Sequence, residues 1–221
     1  MKRALIIGDS GGIGGAVRAA LESRNVEVTG LSRSRDGLNF LDEDNLVQAL
    51  SGMDPEFDLV FVATGQLNGA GLSPEKTLKS LTPQAMADQF EVNCIGPAMI
   101  LKHVVRLLPR DRQAVFAALS ARVGSIGDNQ LGGWYSYRTA KAALNQIIHT
   151  GAIELARTHK QAICVALHPG TVATQFTKDY AARHKTVTAP EAAHNLLSVI
   201  DRLDASHSGQ FFDWKAERVP W

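Results

Sequence analysis

The chain has few cysteines and no long hydrophobic run, and these two absences exclude several classes of protein. Cys94 and Cys164 are its two cysteines. Each lies in an apolar stretch, so we expect two buried free thiols in a reducing compartment rather than a disulfide framework. No apolar run approaches the roughly 20 residues that span a membrane, and residues 4–7 are too few for a signal-peptide core. We therefore expect a cytoplasmic protein with no membrane partner.

An excess of charge of either sign is also missing. Lys and Arg together number 23 and Asp and Glu 22, a net charge of +1 in 221 residues. This balance argues against a nucleic-acid partner. The seven histidines show no spacing typical of metal ligands, so we expect no metal site. A chain of this length can bury about 70% of its unfolded surface without a disulfide or a metal.

Short apolar runs alternate with longer helical patterns along the whole sequence. The strand-like runs are residues 5–7, 26–29, 57–63, 115–119, 163–167 and 210–212. Helix starts are marked by Thr82 before Pro83 and by the capping-box spacing of Thr188 and Glu191. Continuous apolar strands between helices predict a parallel sheet that is covered on both faces. We therefore predict a single doubly wound, Rossmann-like α/β domain over residues 1–221, with ligands bound beyond the carboxyl ends of its strands.

A glycine-rich turn follows the first strand and is open to two interpretations. Gly8, Gly12 and Gly14 fit G-x-x-x-G-x-G, while Gly8, Gly11 and Gly14 fit G-x-x-G-x-x-G. A bare backbone before a helix lets a pyrophosphate approach its free N–H groups. The alternative is a tight turn that binds nothing.

The same residues also spell G-x-S-x-G, the nucleophile elbow of hydrolases, with Ser10 as nucleophile. A chymotrypsin-type chain order is excluded, because no histidine precedes Ser10. An α/β-hydrolase order would put the elbow on the first strand, with no earlier strand to supply the oxyanion loop. A serine hydrolase is therefore kept as a remote alternative.

The end of the second strand indicates which dinucleotide is bound. Arg33 stands between Ser32 and Ser34, and no acidic residue is adjacent. An acid at this position binds the 2′-hydroxyl of NAD, whereas an arginine accommodates the 2′-phosphate of NADP. The residues predict NADP. The alternative is a solvated surface arginine.

A proton-transfer pair is predicted on a long helix. Tyr137 and Lys141 are four residues apart, so they lie one above the other on one face. An ammonium group near a phenol lowers its pKa from about 10. Such a pair can supply a proton to a carbonyl oxygen.

Taken together, the motifs resemble those of the short-chain dehydrogenases/reductases. Five motifs occur in that family's order: the glycine turn, Asn93 in VNCIGP, the strand end LSARVGS, YRTAK and HPGTVAT. The resemblance runs from residue 2 to the end. It is strongest to sniffer-type carbonyl reductases and bacterial C-factor-like proteins, and it implies a mainly parallel sheet of seven strands, the third of them just before Asp42.

The resemblance also implies roles for individual residues. Tyr137 would protonate the carbonyl oxygen, Lys141 would hold the nicotinamide ribose, Asn93 would support a relay water and Asp42 would meet the adenine. The implied cofactor-binding residues are Gly8, Ser10, Gly12, Ile13, Gly14, Ser32, Arg33, Asp42, Ala63, Thr64, Gly65, Tyr137, Lys141, Pro169, Gly170, Val172 and Thr174. Independently, Pro97 has no N–H to bond the Asn93 carbonyl, which interrupts the helix and leaves that carbonyl free for a water. The alternative is a plain kink in the helix.

The chain departs from the family at its catalytic serine. Ala121 stands where the family has this serine. Ser125 or Ser120 takes over the role of the missing serine, with Ser125 favoured, or neither does. A lost donor to an oxyanion typically costs about 10²–10³ in rate. We therefore expect an NADP-dependent reductase of a small aldehyde or ketone. The alternative is an NADP-binding signalling or regulatory protein with little turnover.

Two further expectations concern the substrate and the assembly. The polar segment around residues 175–188 is predicted to cover the substrate site. The resemblance implies a homodimer or a homotetramer.

Overall fold

A computed structural model describes residues 1–68, 73–177 and 186–221. Its sheet has the strand order β2-β1-β3-β4-β5-β6, and every neighbouring pair is parallel. The first strand pairs with β2 on one side and with β3 on the other, so the strand order reverses beside β1. The strands are β1 (Arg3–Ile7), β2 (Glu27–Leu31), β3 (Leu59–Val62), β4 (Ala114–Leu119), β5 (Ala162–His168) and β6 (Phe211–Asp213).

Helices cover both faces of this sheet, as the continuous apolar strands predicted. Val17 and Leu21 of the first helix pack with Leu196 of the last helix on one face, and Ile100 and Leu144 pack on the other. The helices are α1 (Gly12–Glu22), α2 (Arg33–Asp36), α3 (Glu43–Ser51), α4 (Pro83–Phe90), α5 (Gly96–Val104), α6 (Tyr135–Leu155) and α7 (Ala189–Ile200). Within the described ranges, no helix is both long and apolar enough to cross a membrane.

The predicted helix starts are confirmed. The Thr82 side chain accepts a hydrogen bond from the Ala85 N–H, with Pro83 in the first turn of α4. The Thr188 side chain accepts one from the Glu191 N–H at the start of α7. Local side-chain chemistry therefore fixes these boundaries.

The predicted number of seven strands is wrong for the described residues, which form six. The segment before Asp42 is irregular instead of a strand, because its backbone is satisfied by side chains. The Asn39 N–H donates to Asn45 Oδ1 at 2.8 Å, and the Leu41 N–H donates to Asn39 Oδ1 at 3.2 Å. Asp42 itself caps α3 by accepting from the Asn45 N–H.

The β6 edge of the sheet is covered by the chain that follows it. The Val219 N–H donates to the Phe211 carbonyl at 2.8 Å, and the Asp213 N–H donates to the Glu217 carbonyl at 2.9 Å. The last segment thus pairs with β6 in the antiparallel direction.

Candidate active site

A cleft of about 690 Å³ opens at the carboxyl edge of the sheet. Its walls come from the turn after β1, the segments after β3, β4 and β5, and the start of α6. Chain segments that are far apart in sequence meet here, as expected for this class of sheet. The predicted site residues that line the cleft are Gly12, Ile13, Ala63, Thr64, Gly65, Ser120, Tyr137, Lys141, Pro169, Gly170, Val172 and Thr174.

The glycine turn leaves bare backbone at the start of α1. Gly8 has φ +93°, a left-handed conformation, and a Cβ on Gly14 would overlap the Gly8 carbonyl. Gly11 is the N-cap residue and provides no side-chain cap, so the first amides of α1 are available to an anion. Ser10 is exposed and does not line the cleft, and among the described residues no histidine is hydrogen-bonded to it.

Arg33 is exposed at the first residue of α2, and within the described ranges no carboxylate pairs with it. Ser32 precedes it, and the Ser32 hydroxyl donates to Asp36 Oδ2 at 3.1 Å. The guanidinium of Arg33 is thus available to an anionic ligand at the end of β2.

Asp9, a buried carboxylate in the glycine turn, was not predicted from the sequence as part of the site. Asp9 is buried and pairs with Arg18 at 2.7 Å and with Arg35 at 2.9 Å. A Cβ at Gly30 would overlap the Asp9 carboxylate, so this arrangement requires the glycine in β2. The arginines are 9 and 26 positions away, so no local pattern indicates the cluster.

Tyr137 and Lys141 lie on adjacent turns of α6 and are 6% and 3% exposed. The Lys141 Nζ lies 5.9 Å from the centroid of the Tyr137 ring and donates to the Leu119 carbonyl at 2.9 Å. Burial lowers the pKa of Lys141 to about 7. Burial raises the pKa of Tyr137 above its ordinary value, which is opposite to the expected effect of the ammonium. The phenol is therefore held protonated.

Asn93 is fully buried and bridges two segments. Its Nδ2 donates to the Gln66 carbonyl and to Gln89 Oε1, each at 2.7 Å, and its Oδ1 accepts from the Gln66 N–H at 3.1 Å. The residue lies in a π-helical turn, Glu91–Ile95, just before Pro97. The irregularity that Pro97 predicted is therefore present, and the Asn93 side chain ties it to the segment after β3.

Neither candidate serine presents a free hydroxyl to the cleft. Ser125 is buried outside the cleft, and its hydroxyl donates to the Pro220 carbonyl at 2.5 Å, so the structure does not bring this favoured residue to the site. Ser120 lines the cleft, but its hydroxyl donates to Asn145 Oδ1 at 2.7 Å. Ala121 lines the cleft beside it.

Two residues of the cleft lining each hold a buried polar atom that has no partner among the residues that the structure describes. Thr64 Oγ1 and His168 Nδ1 are buried without a hydrogen bond. Burial lowers the pKa of His168 to about 4, so its ring is neutral at pH 7. A buried polar atom without a partner normally indicates that a ligand or water completes the site.

The residues after β5 form one wall of the cleft. Gly170 has φ +78° with Trp214 against it, and Val172 pairs with Val187. The Phe176 ring, which the sequence analysis did not single out, lies 6.5 Å from the Tyr137 ring. The predicted covering segment extends through residues 178–185, which lie outside the described residues.

A metal site is not formed by the parts of the chain that the structure describes, since they hold no cluster of three or more possible ligand side chains.

With this geometry in place, comparison with known proteins assigns the family. The sequence profile described as "short chain dehydrogenase" matches residues 42–185. The chain is 30% identical over 228 aligned positions to 1-hydroxy-2-glutathionyl-2-methyl-3-butene dehydrogenase of Rhodococcus sp. (strain AD45), covering 96% of each protein. The chain therefore belongs to the short-chain dehydrogenase family, and it is an oxidoreductase of the Rossmann-like class.

The chain is also similar to a further protein in sequence and to two solved structures in fold. The chain is 37% identical over 139 residues to the C-signal protein of Myxococcus xanthus, covering 62% of this chain and 78% of that protein. Its fold matches the carbonyl reductase Sniffer of D. melanogaster with a TM-score of 0.80 at 19% identity, covering 100% of both chains. It also matches the NADPH-bound carbonyl reductase from chicken fatty liver, with a TM-score of 0.80 at 22% identity. This match covers 100% of this chain and 99% of that chain.

Proposed function

We propose that this protein is an NADP-dependent reductase of small aldehydes or ketones. The observation that carries the proposal is the buried Tyr137–Lys141 pair, which faces the same cleft as the uncapped start of α1. Two solved structures with this fold contain bound NADPH, which supports the choice of cofactor.

The residues of the cleft fit this dinucleotide. The free amides at the start of α1 suit a pyrophosphate, and the exposed Arg33 suits a 2′-phosphate. Thr64 Oγ1 is a buried atom that lacks a partner within the part of the chain that the structure describes. Bound NADPH supplies a hydride to the carbonyl carbon of the substrate. The other proposed cofactor-binding residues are those given by the sequence analysis.

The chain supplies the proton. Because burial keeps the Tyr137 phenol protonated, its Oη donates a proton to the carbonyl oxygen as negative charge develops there. Lys141, with a pKa of about 7, exchanges protons readily at neutral pH and lies beside the ring. Asn93 braces the segment after β3 against the π-helical turn.

Replacing Tyr137 by Phe tests this assignment. We expect NADPH-dependent reduction across a panel of aldehydes and ketones to fall by at least about 100-fold, because general acid catalysis contributes about 10²–10⁴. NADPH affinity, followed by intrinsic fluorescence, should change little. Unchanged turnover in Tyr137→Phe contradicts the role.

A second candidate function is an NADP-binding regulatory protein with little turnover. The specific observation in its favour is that Ala121 has no hydroxyl while Ser120 and Ser125 are hydrogen-bonded elsewhere. Tight NADPH binding by the wild type without reduction of any compound in the panel selects this function. A cytoplasmic location, a homodimeric or homotetrameric assembly and a single domain over residues 1–221 stay predictions.

A further inference from the structure

The helix that carries Tyr137 begins without a cap from its own N-terminal residue. Trp134 is at the N-cap position with φ 54°, and its side chain makes no capping hydrogen bond. Gly132 and Gly133 precede it with φ +62° and +66°. The chain thus enters α6 through three consecutive left-handed residues. The first amides of any helix have no partner within it and need acceptors from elsewhere.

Glu75, which is 61 positions before Ser136, supplies these acceptors. Its carboxylate accepts hydrogen bonds from the Ser136 N–H at 3.2 Å and from the Ser136 hydroxyl. Its main-chain carbonyl accepts from the Trp134 N–H at 2.5 Å. Glu75 is 7% exposed, so water competes little for these bonds. A carboxylate at a helix N-terminus is also favoured by the helix dipole.

The two residues that Glu75 binds, Trp134 and Ser136, both closely precede Tyr137 in the sequence. The Trp134 ring meets the Tyr137 ring edge to face, with centroids 6.2 Å apart. Tyr137 also lines a second cavity of about 320 Å³ together with Glu75 and Ser136. The phenol therefore has space to shift into if the first turn of α6 loosens.

We propose that Glu75 is a positioning residue that clamps the first turn of α6 and so holds the Tyr137 phenol at the cleft. This inference rests on the proposed reductase function. A misplacement of about 1 Å at a reacting group can cost about 10² in rate. Loss of the clamp should therefore lower kcat without weakening cofactor binding, since Glu75 lines the second cavity and not the cleft that takes the cofactor.

The test compares Glu75→Ala and Glu75→Gln with Asp204→Ala, which removes the cap of the 3₁₀ turn Ala205–His207. Asp204 does not line either cavity. Steady-state reduction of an aldehyde gives kcat and KM, and hydrogen exchange by mass spectrometry follows peptides over residues 135–141 and 204–210.

We expect Glu75→Ala to lower kcat by about 10- to 100-fold with little change in KM for NADPH, and to speed exchange over residues 135–141. Glu75→Gln keeps an acceptor oxygen and should recover part of kcat. Asp204→Ala should speed exchange over residues 204–210 and leave kcat unchanged.

Two results overturn the proposal: wild-type kcat in Glu75→Ala, or an equal loss of kcat in Asp204→Ala. If the wild type reduces no carbonyl compound, the proposed function fails instead. The exchange rate over residues 135–141 in Glu75→Ala then decides on its own whether Glu75 holds this turn, and an unchanged rate rejects the clamp.

Discussion

At the residue scale, burial sets the protonation of the Tyr137–Lys141 pair. Desolvation disfavours the charged form of each group, so it raises the pKa of the phenol and lowers that of the amine to about 7. At neutral pH the lysine is therefore only partly charged, and it stabilises phenolate weakly. A protonated phenol suits the donation of a proton to a carbonyl oxygen, which is the direction of the proposed reaction.

We expect Ala121 to limit the rate of the proposed reduction. We expect Ala121→Ser to raise kcat for aldehyde reduction about tenfold or more, because a hydroxyl at this point of the cleft adds a donor to the developing oxyanion. The matched control is Ser120→Ala, whose lost hydroxyl is already bound to Asn145. A kcat that collapses in Ser120→Ala would instead make Ser120 the donor to the substrate.

Arg33 is expected to select between the two nicotinamide cofactors. Removing the guanidinium in Arg33→Ala should weaken NADPH binding about 10- to 100-fold, since hydrogen bonds to charged groups contribute about 1.5–3 kcal/mol. NADH binding should be unchanged. Fluorescence titration measures both, with Arg24→Ala, an exposed arginine paired with Asp201, as the control. Equal weakening of both cofactors contradicts a 2′-phosphate contact.

At the element scale, the glycine turn tolerates no side chain on its inner side. A Cβ in Gly14→Ala would overlap the Gly8 carbonyl, so the turn must shift, at a cost of about 1–3 kcal/mol. We expect a lower Tm and the loss of NADPH binding. Gly52→Ala is the matched control, because a Cβ at Gly52 would meet nothing within 4 Å. This variant should leave both the Tm and NADPH binding unchanged. Retained NADPH affinity in Gly14→Ala would exclude this turn as the pyrophosphate site.

The sequence predicted those elements whose determinants are local. Thr82 and Thr188 cap their own helices, and Pro97 disturbs the helix beside it. The expectation of a strand before Asp42 came from the family pattern. In the structure the Asn39 side chain instead accepts a hydrogen bond from the Leu41 N–H. The pairing of Ser125 with Pro220 joins residues 95 positions apart. Such long-range contacts follow from the packed fold and leave no local pattern in the sequence.

At the scale of the whole molecule, we expect His168 to make folding stability depend on pH. Burial lowers its folded-state pKa to about 4, while in the unfolded chain the pKa is about 6.5. Below pH 6.5 the unfolded state therefore binds a proton that the folded state does not bind until about pH 4. Folding stability should fall as the pH drops through this window. Thermal denaturation between pH 7.5 and 4.5 measures the effect.

His168→Gln should flatten this pH dependence, since the side chain no longer titrates. His194→Gln is the matched control, because that histidine is exposed, and it should retain the slope of the wild type. A slope that persists in His168→Gln would place its origin in another group.

The pairing of residues 217–219 with β6 has a consequence for self-association. A sheet edge with unpaired N–H and C=O groups recruits strands from other chains, which leads to aggregates. Here Val219 and Glu217 already bond the outward groups of Phe211 and Asp213. Copies of this protein at high concentration therefore cannot extend their sheets into one another through β6 unless this pairing is first broken.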